Sequence, residues 1–299
     1  MNLQFLLDGV IAGATLALGA TGVTLTYANL RFANFAHGEF LSWGAYLAML
    51  VASLLGGAFS APLGPFSFGG GLLLSAVVAA LLTGVLALAL DAALFRRLRR
   101  RGTAVTAVMA SFGVSMALRA LLEVLFTSRP RYFSDELQIA LPLGGGMRAT
   151  PDQLAMLGLA ALVAGAVWLL LARSAIGRQM RAASENPLLA AVAGVDVAQV
   201  LRITWLLGGM LAAVAGVVLG VLVQVRPSMG SELLLPLFAA AIVGGIGSVP
   251  GAVVGGLIVG ISEAAAVQFV GAEWRAAVSF VLLILVLLVR PTGLFGSRP

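Results

Sequence analysis

The stretch RSAIGRQMRAASENPLLAAVAGVDVAQVLR, residues 173–202, is a polar island between two long apolar segments. A stretch with this many arginines cannot lie in hydrocarbon, so the polar island is predicted to be a surface loop of a membrane protein. Within it, Asn186 is a good N-cap, Pro187 suits the first helical position, and Gly194 is placed to end a helix in a left-handed cap. These signals predict a short capped helix from Pro187 to Ala193.

The predicted helix is apolar nearly all round, since its residues include Leu188, Leu189, Ala190, Ala191 and Val192. After one face packs on the chain's own body, another face remains uncovered and needs a partner. These residues alone leave two partners open, lipid headgroups or another protein. A helix that lies on headgroups usually carries Arg or Lys within its own turns, and this one carries neither.

Composition places the chain among polytopic membrane proteins. Hydrophobic residues make up 61% of its 299 residues and charged residues only 10%, against roughly 25% charged in soluble domains. With no cysteine and one histidine, disulfides and the usual thiolate or multi-histidine metal sites are excluded. All 18 basic residues are arginine, so a P-loop lysine is missing, and we expect the chain to bind neither ATP nor another cofactor. These arginines cluster at the ends of apolar segments, which argues against nucleic-acid binding.

Nine apolar segments predict a bundle of membrane helices that includes broken ones. The arginine cluster at residues 96–101 marks its loop as cytoplasmic, and counting spans forward places the polar island on the same side. The same rule favours an N-terminus outside and a C-terminus inside, with residues 1–299 forming one transmembrane domain. The predicted segments are residues 5–28, 39–55, 71–95, 103–126, 153–172, 203–223, a shorter 233–244, 251–270 and 274–289.

The first interruption of the apolar pattern covers residues 29–39 and includes His37 and Glu39. Both side chains are costly in lipid and usually face the interior of a bundle. Asn34 is placed to cap the following helix, which would point backbone N–H groups and a positive dipole end into the protein. The alternative is a structural joint at the cytoplasmic boundary, where headgroup water solvates both side chains.

The second interruption, residues 244–251, reads GGIGSVPG and cannot form a continuous helix. Broken helices are tolerated in a membrane only where protein or water surrounds them, so the two interruptions point to a transport path. Tight helix packing through small residues is the alternative. A glutamate in a later glycine-rich span must also face a partner or water. The predicted path residues are Asn34, His37, Glu39, Gly244, Gly245, Gly247, Ser248 and Glu263.

Four stretches of the chain resemble the inner-membrane permeases of branched-chain amino acid ABC importers, specifically the LivH-type subunit. The first is NFAHGE at residues 34–39 followed by GAY at 44–46, and the second is the polar island itself. AIVGGIGSVPG at residues 241–251 and RPTGLFG at residues 290–296 are also similar to stretches of that family. The resemblance implies a fold like that of type II importer permeases, with one N-terminal helix missing.

The resemblance also implies a machine of several subunits in a bacterial inner membrane. This non-enzymatic subunit would pair with a LivM-like permease, two ABC ATPase subunits of the LivG/LivF kind and an extracytoplasmic substrate-binding protein. The short helix of the polar island would dock on an ATPase subunit, which favours protein over lipid as its partner. Branched-chain amino acids are the implied substrates, and related permeases serve urea, amides or aromatic acids. The implied coupling residues are Arg178, Arg181, Glu185, Asn186, Pro187, Leu188, Leu189, Ala190 and Gly194.

Two other classes of function compete with this one. A proton-coupled secondary transporter would use Glu39, Glu263 and His37 as a relay and would need no ATPase. An intramembrane serine hydrolase would need Ser248 activated by His37, but Val249 and Pro250 make a poor start for a helix that carries a nucleophile.

Overall fold

The computed structural model describes residues 3–56, 62–134 and 138–296, and twelve α-helices make up most of this part of the chain. The boundaries of the long apolar helices lie close to those of the predicted segments. The helices are α1 (Gln4–Leu30), α2 (His37–Leu55), α3 (Gly70–Leu90), α4 (Arg96–Arg101), α5 (Ala104–Phe126), α6 (Pro151–Arg173), α7 (Ala175–Glu185), α8 (Pro187–Val192), α9 (Val197–Leu222), α10 (Met229–Gly244), α11 (Val249–Phe269) and α12 (Arg275–Val289).

Eight helical stretches of the described residues are long and apolar enough to cross a membrane. Helices α3 and α4 count as one of them, because the π-helical turn Asp91–Phe95 joins them without a break. Helix α10 is the predicted shorter segment, although it begins at Met229 and not at Leu233. Two short antiparallel strands, β1 (Leu141–Gly144) and β2 (Met147–Ala149), precede α6. The predicted class, an all-α polytopic membrane protein, is confirmed.

The helix pairs α1–α2 and α9–α10 share one arrangement, a long helix joined to the next helix by a short segment, but they run in opposite directions. Helix α1 ends beside the polar island, whereas α9 begins from it. The connecting segments, residues 31–36 and 223–228, have the same length and turn the chain back into the bundle. The N-termini of α2 and α10 therefore meet, and a Cβ added to Gly230 would lie 2.0 Å from the Gly38 carbonyl oxygen.

Small residues allow the central helices to pack closely. The most extensive helix contacts are those of α1 with α11 and of α9 with α3. Gly256 lies against Ala17, and Gly260 lies against Gly13, so that a Cβ on either glycine would come within 2.6 Å of its neighbour's backbone. Inside a membrane such close packing replaces the hydrophobic effect as the source of helix association. Helices α1 and α9 consequently form the buried centre of the bundle.

Helices α5, α6 and α12 form the periphery. In their most apolar stretches only 22%, 11% and 6% of the residues are buried, against 72% for α1. These helices carry large exposed apolar side chains such as Met116 and Leu162. The uncovered faces can therefore contact lipid or another subunit.

Candidate functional site

The polar island folds into two capped helices, α7 and α8. Asn186 Oδ1 accepts hydrogen bonds from the backbone N–H groups of Leu188 and Leu189 at 3.0 and 3.1 Å, which makes it the N-cap of α8. Gly194 adopts a left-handed φ of +88°, and the N–H of Val195 donates to the Ala190 carbonyl at 2.9 Å. This pattern is a Schellman cap, so the predicted capped helix is confirmed with an end at Val192.

Helix α8 presents an apolar surface to its surroundings. Leu188, Leu189 and Val192 are 79%, 67% and 89% exposed. Ala190, in contrast, is only 4% exposed, because it lies on the face that packs against the rest of the chain. Of the implied coupling residues on this helix, Ala190 therefore lies on the packed face, whereas Leu188 and Leu189 lie on the uncovered face.

Helix α7 fixes α8 to the bundle through close contacts. A Cβ on Gly177 would lie 2.0 Å from the Leu171 carbonyl oxygen, and the Arg181 guanidinium donates a hydrogen bond to that same carbonyl. Met180 and Ala183 are buried in a small apolar core shared with α1, α9 and α11. The exposed Arg178 donates to the Arg173 carbonyl at 3.4 Å. Helices α7 and α8 are thus attached to several spans at once.

A residue outside the polar island completes this attachment. Arg31, which follows the last residue of α1, donates to the backbone carbonyls of Ser184 and Glu185 at 3.2 and 3.1 Å. The side chain thereby joins the end of α1 to the end of α7. This role of Arg31 is not among the predicted ones, and its signal in the sequence is an arginine placed directly after an apolar span.

The first interruption turns into the bundle, which is one of the two alternatives that its polar residues left open. His37 is 1% exposed, and its Nε2 lies 3.2 Å from the Gly19 carbonyl oxygen in the middle of α1. Glu39 is fully buried, and its Oε1 accepts a hydrogen bond from the Ser115 hydroxyl at 3.3 Å. Both side chains are enclosed by protein, so the alternative of solvation by headgroup water is wrong.

Asn34 does not cap α2. Its Oδ1 accepts from the N–H of Ala36 at 3.2 Å, and Ala36 occupies the N-cap position without a side-chain hydrogen bond to the helix. The chain makes a tight turn first, in which the N–H of His37 donates to the Asn34 carbonyl at 3.2 Å. Asn34 therefore stabilises the turn that leads into α2.

The second interruption is a turn between α10 and α11, and not a break within one helix. Gly245 and Gly247 have φ angles of +102° and +90°, which only glycine adopts at low cost. The N–H of Gly247 donates to Thr24 Oγ1 at 2.8 Å, so the turn lies beside the last turns of α1. Ser248 caps α11 by accepting from the N–H of Gly251. This turn belongs to the side of the bundle that carries the polar island.

The C-terminal segment packs against the same turn. The N–H groups of Leu294 and Phe295 donate to the carbonyls of Val243 and Gly244 at 2.9 and 3.0 Å. A Cβ on Gly245 would lie 2.4 Å from the backbone nitrogen of Gly296. The glycines of the turn therefore allow the end of the chain to dock.

The partner of the first interruption is the segment 223–228, which sequence analysis missed. The Ser42 hydroxyl donates to the Pro227 carbonyl at 3.2 Å and accepts from the N–H of Gly230 at 2.9 Å, which joins α2 to the start of α10. Val225 forms a bridge with Arg131 of the preceding loop. The detectable signal was the polar and proline-containing stretch QVRPS within an apolar region.

Glu263 has protein partners, as expected for a buried carboxylate. It is 2% exposed, lies 2.9 Å from Arg275 Nε and accepts a hydrogen bond from the Ser279 hydroxyl. It borders a cavity of about 360 Å³ between α1, α9 and α11, which also includes Asp8 and Thr15. These bonds give Glu263 a structural role that links α11 to α12.

The family model described as "Branched-chain amino acid transport system / permease component" matches residues 5–287. The chain belongs to this family. The buried first interruption and the exposed short helix of this chain are therefore features of a transport permease. The predicted relationship to LivH-type permeases is confirmed, and the chain is a multi-pass membrane protein with eight candidate spans among the residues that the structure describes.

Named relatives match the permease over nearly its full length. It is 33% identical to the high-affinity branched-chain amino acid transport system permease protein BraD of Pseudomonas aeruginosa, with 99% of this chain and 96% of BraD covered. The LivH protein of Escherichia coli (strain K12) gives the same figures. A probable LivH of Methanocaldococcus jannaschii is 27% identical over 98% of this chain and 92% of the relative.

A solved structure supports the fold of the permease. The complex "PsaBC from Streptococcus pneumoniae in complex with Fab" contains a chain that matches with a TM-score of 0.50 and 15% identity. The match covers 97% of this chain and 95% of the other. At this identity the likeness concerns the fold alone.

Proposed function

We propose that this permease is the LivH-type subunit of an ATP-driven importer of branched-chain amino acids in a bacterial inner membrane. Family membership and the printed names of the relatives support this substrate class. The complete importer contains a second, LivM-like permease, two ATPase subunits of the LivG/LivF kind and an extracytoplasmic binding protein. The permease itself is no enzyme, because ATP binds to the ATPase subunits.

The observation that carries this proposal is the exposed apolar face of α8. A helix of six residues is too short to be stable alone, so its caps and its docking surface must hold it. Leu188, Leu189 and Val192 project from it, whereas its polar ends are already satisfied by Asn186 and Gly194. Such a surface fits an apolar groove on an ATPase subunit.

Movement of α8 would reach the centre of the bundle through the contacts of α7. Arg31 joins the end of α7 to α1, and the buried Met180 packs among residues of α1, α9 and α11. Helices α1 and α9 lead directly to the two segments that position the N-termini of α2 and α10. ATP-driven closure of the ATPase subunits would therefore shift both inner helix ends together.

Uptake measurements test the proposed function. Proteoliposomes containing the whole complex, with ATP enclosed and binding protein outside, should take up labelled leucine and should continue to do so when an uncoupler removes the proton gradient. Unlabelled isoleucine and valine should compete, whereas urea, acetamide and benzoate should not. Uptake that needs the proton gradient and no ATPase subunit would establish the secondary transporter instead.

Substitutions of Glu39 also distinguish ATP-driven import from proton-coupled transport. We expect Glu39→Gln to keep leucine uptake within about three-fold of the unmodified complex, because an oxygen that accepts the Ser115 hydroxyl is retained. Glu39→Leu should lose at least about ten-fold, because it leaves that hydroxyl without this acceptor in the interior. An equal loss in both variants would mean that the charge itself is essential, as in a proton relay.

A further inference from the structure

Two ion pairs are exposed on one face of the bundle. On α5, Arg119 Nε lies 3.1 Å from Glu123 Oε1, and these side chains are 44% and 42% exposed. At the start of α10, Arg226 Nη2 lies 2.5 Å from Glu232 Oε2, with exposures of 42% and 48%. Arg119 Nη1 also donates to Ser231 Oγ at 3.3 Å, which links α5 to α10 at the residue next to Glu232.

The α5 part of this charged face lies within a predicted span, residues 103–126, and Glu232 lies in the first turn of α10. Arg119 precedes the end of α5 at Phe126 by roughly 10 Å of helix. One turn before Arg119, Ser115 contacts Glu39 in the first turn of α2, where the N-termini of α2 and α10 meet. Charged side chains at this level are rare against lipid and usually face water or another subunit.

Apolar side chains continue the same face toward the polar island. Phe112 and Met116 are 53% and 62% exposed, and their spacing places them on the side of α5 that carries Arg119 and Glu123. Phe35 stands between Phe112 and Phe238 of α10, with ring centroids 6.1 and 5.9 Å apart. The face thus combines side chains of opposite charge with an apolar surface of aromatic and thioether groups, which lies on the side toward the polar island.

This combination matches the chemistry of a zwitterion with an apolar side chain. A guanidinium is suited to bind a carboxylate, and a carboxylate is suited to bind an ammonium group. The Glu39 side chain behind this face has a second oxygen, Oε2, that finds no hydrogen-bond partner in the described part of the chain. An aliphatic side chain would contact Met116 and Phe112 at the same time.

We propose that the α5–α10 face lines the water-filled path and contacts the transported amino acid. Arg119 binds its carboxylate, Glu232 its ammonium group, and Phe112 and Met116 its side chain. This inference rests on the proposed function for the identity of the substrate. Whether this face contacts water, however, can be measured without a transport assay.

Cysteine labelling tests that placement, since the chain has no native cysteine. Met116→Cys is compared with Leu162→Cys on α6, a matched control whose native side chain is 67% exposed. A charged, water-soluble thiosulfonate needs a hydrated thiolate, so it should modify Met116→Cys at least about ten-fold faster than Leu162→Cys in the assembled complex. A membrane-permeant maleimide should reach both. Equally slow reaction of both variants with the charged reagent would overturn the proposal by placing this face in lipid or in a dry contact.

Substitution of the charges tests substrate contact. In the complete importer, Arg119→Gln and Glu232→Gln should each reduce leucine uptake by at least about ten-fold. ATP hydrolysis by the same complexes should stay within about two-fold, because neither residue touches the polar island. The control Arg148→Gln in β2 should leave both unchanged. Normal uptake in both variants would overturn the assignment, whereas ATP-independent uptake in the unmodified complex would overturn the proposed function.

Discussion

Leu188→Asp abolishes ATP-driven uptake while the permease still inserts and folds. This is the expected result, because a carboxylate at the centre of an apolar docking surface must be desolvated without a partner, at a cost of several kcal/mol. A loss of about 3 kcal/mol weakens docking roughly 100-fold. Leu188 is 79% exposed in the permease itself, so the change removes little packing from the fold. Co-purification of the ATPase subunits, ATP hydrolysis and leucine uptake should fall together.

A matched control separates docking from a general effect of added charge. Ile139, in the loop before β1, is 86% exposed and belongs to the side of the bundle opposite the polar island. Ile139→Asp should therefore leave ATPase co-purification unchanged. If Leu188→Asp binds the ATPase subunits and supports uptake as the unmodified permease does, α8 is not the coupling element.

Gly230→Ala should unfold or misassemble the permease, because the N-termini of α2 and α10 have no room for a methyl group. The added Cβ would lie 2.0 Å from the Gly38 carbonyl oxygen and 2.7 Å from Ser42 Oγ. The first neighbour is backbone within a packed helix, so relief requires the two helices to separate. We expect a destabilisation of at least about 3 kcal/mol, at the upper end of overpacking effects. The loss of stability is measured by heating the purified variant in detergent and then determining, by size-exclusion chromatography, how much of it remains folded and unaggregated.

Gly158→Ala is the matched control for this change. Gly158 also lies inside a helix, α6, but no atom lies within 4 Å of a Cβ added there. Alanine has the higher helix propensity by about 1 kcal/mol, so this variant should be as stable as the unmodified permease or slightly more stable. Equal stability of the two alanine variants would show that Gly38 and Gly230 do not hold the inner helix ends together.

Helix caps and span boundaries could be predicted from the sequence because each depends on only a few neighbouring residues. The caps at Asn186 and Gly194 depend on short-range backbone geometry, and both were found where the sequence placed them. Span boundaries followed from hydropathy for the same reason. For His37 and Glu39 the sequence left two alternatives open, enclosure by protein or solvation by headgroup water, and it is the packing of the bundle that encloses both side chains.

Helix caps and hydropathy do not show where a segment lies in the folded bundle. The turn at residues 244–251 and the segment 223–228 both contain helix breakers, and sequence alone could not tell which of them returns into the bundle. The difference lies in distant partners, since Ser42 binds the start of α10 whereas the C-terminal segment binds the turn. The inward face of Ala190 likewise depends on how α8 packs against the spans.

Site-directed crosslinking decides whether α8 docks on an ATPase subunit. A single cysteine at Val192, which is 89% exposed, should crosslink to an ATPase subunit in the assembled importer. A cysteine at Ile139 on the opposite side should crosslink to no ATPase subunit. Because closure of the ATPase subunits moves α8, the yield of the Val192→Cys crosslink should change when ATP is added. Modification of Val192→Cys by lipid-directed probes alone, with no ATPase adduct under any condition, would contradict docking on an ATPase subunit and assign α8 to the membrane surface.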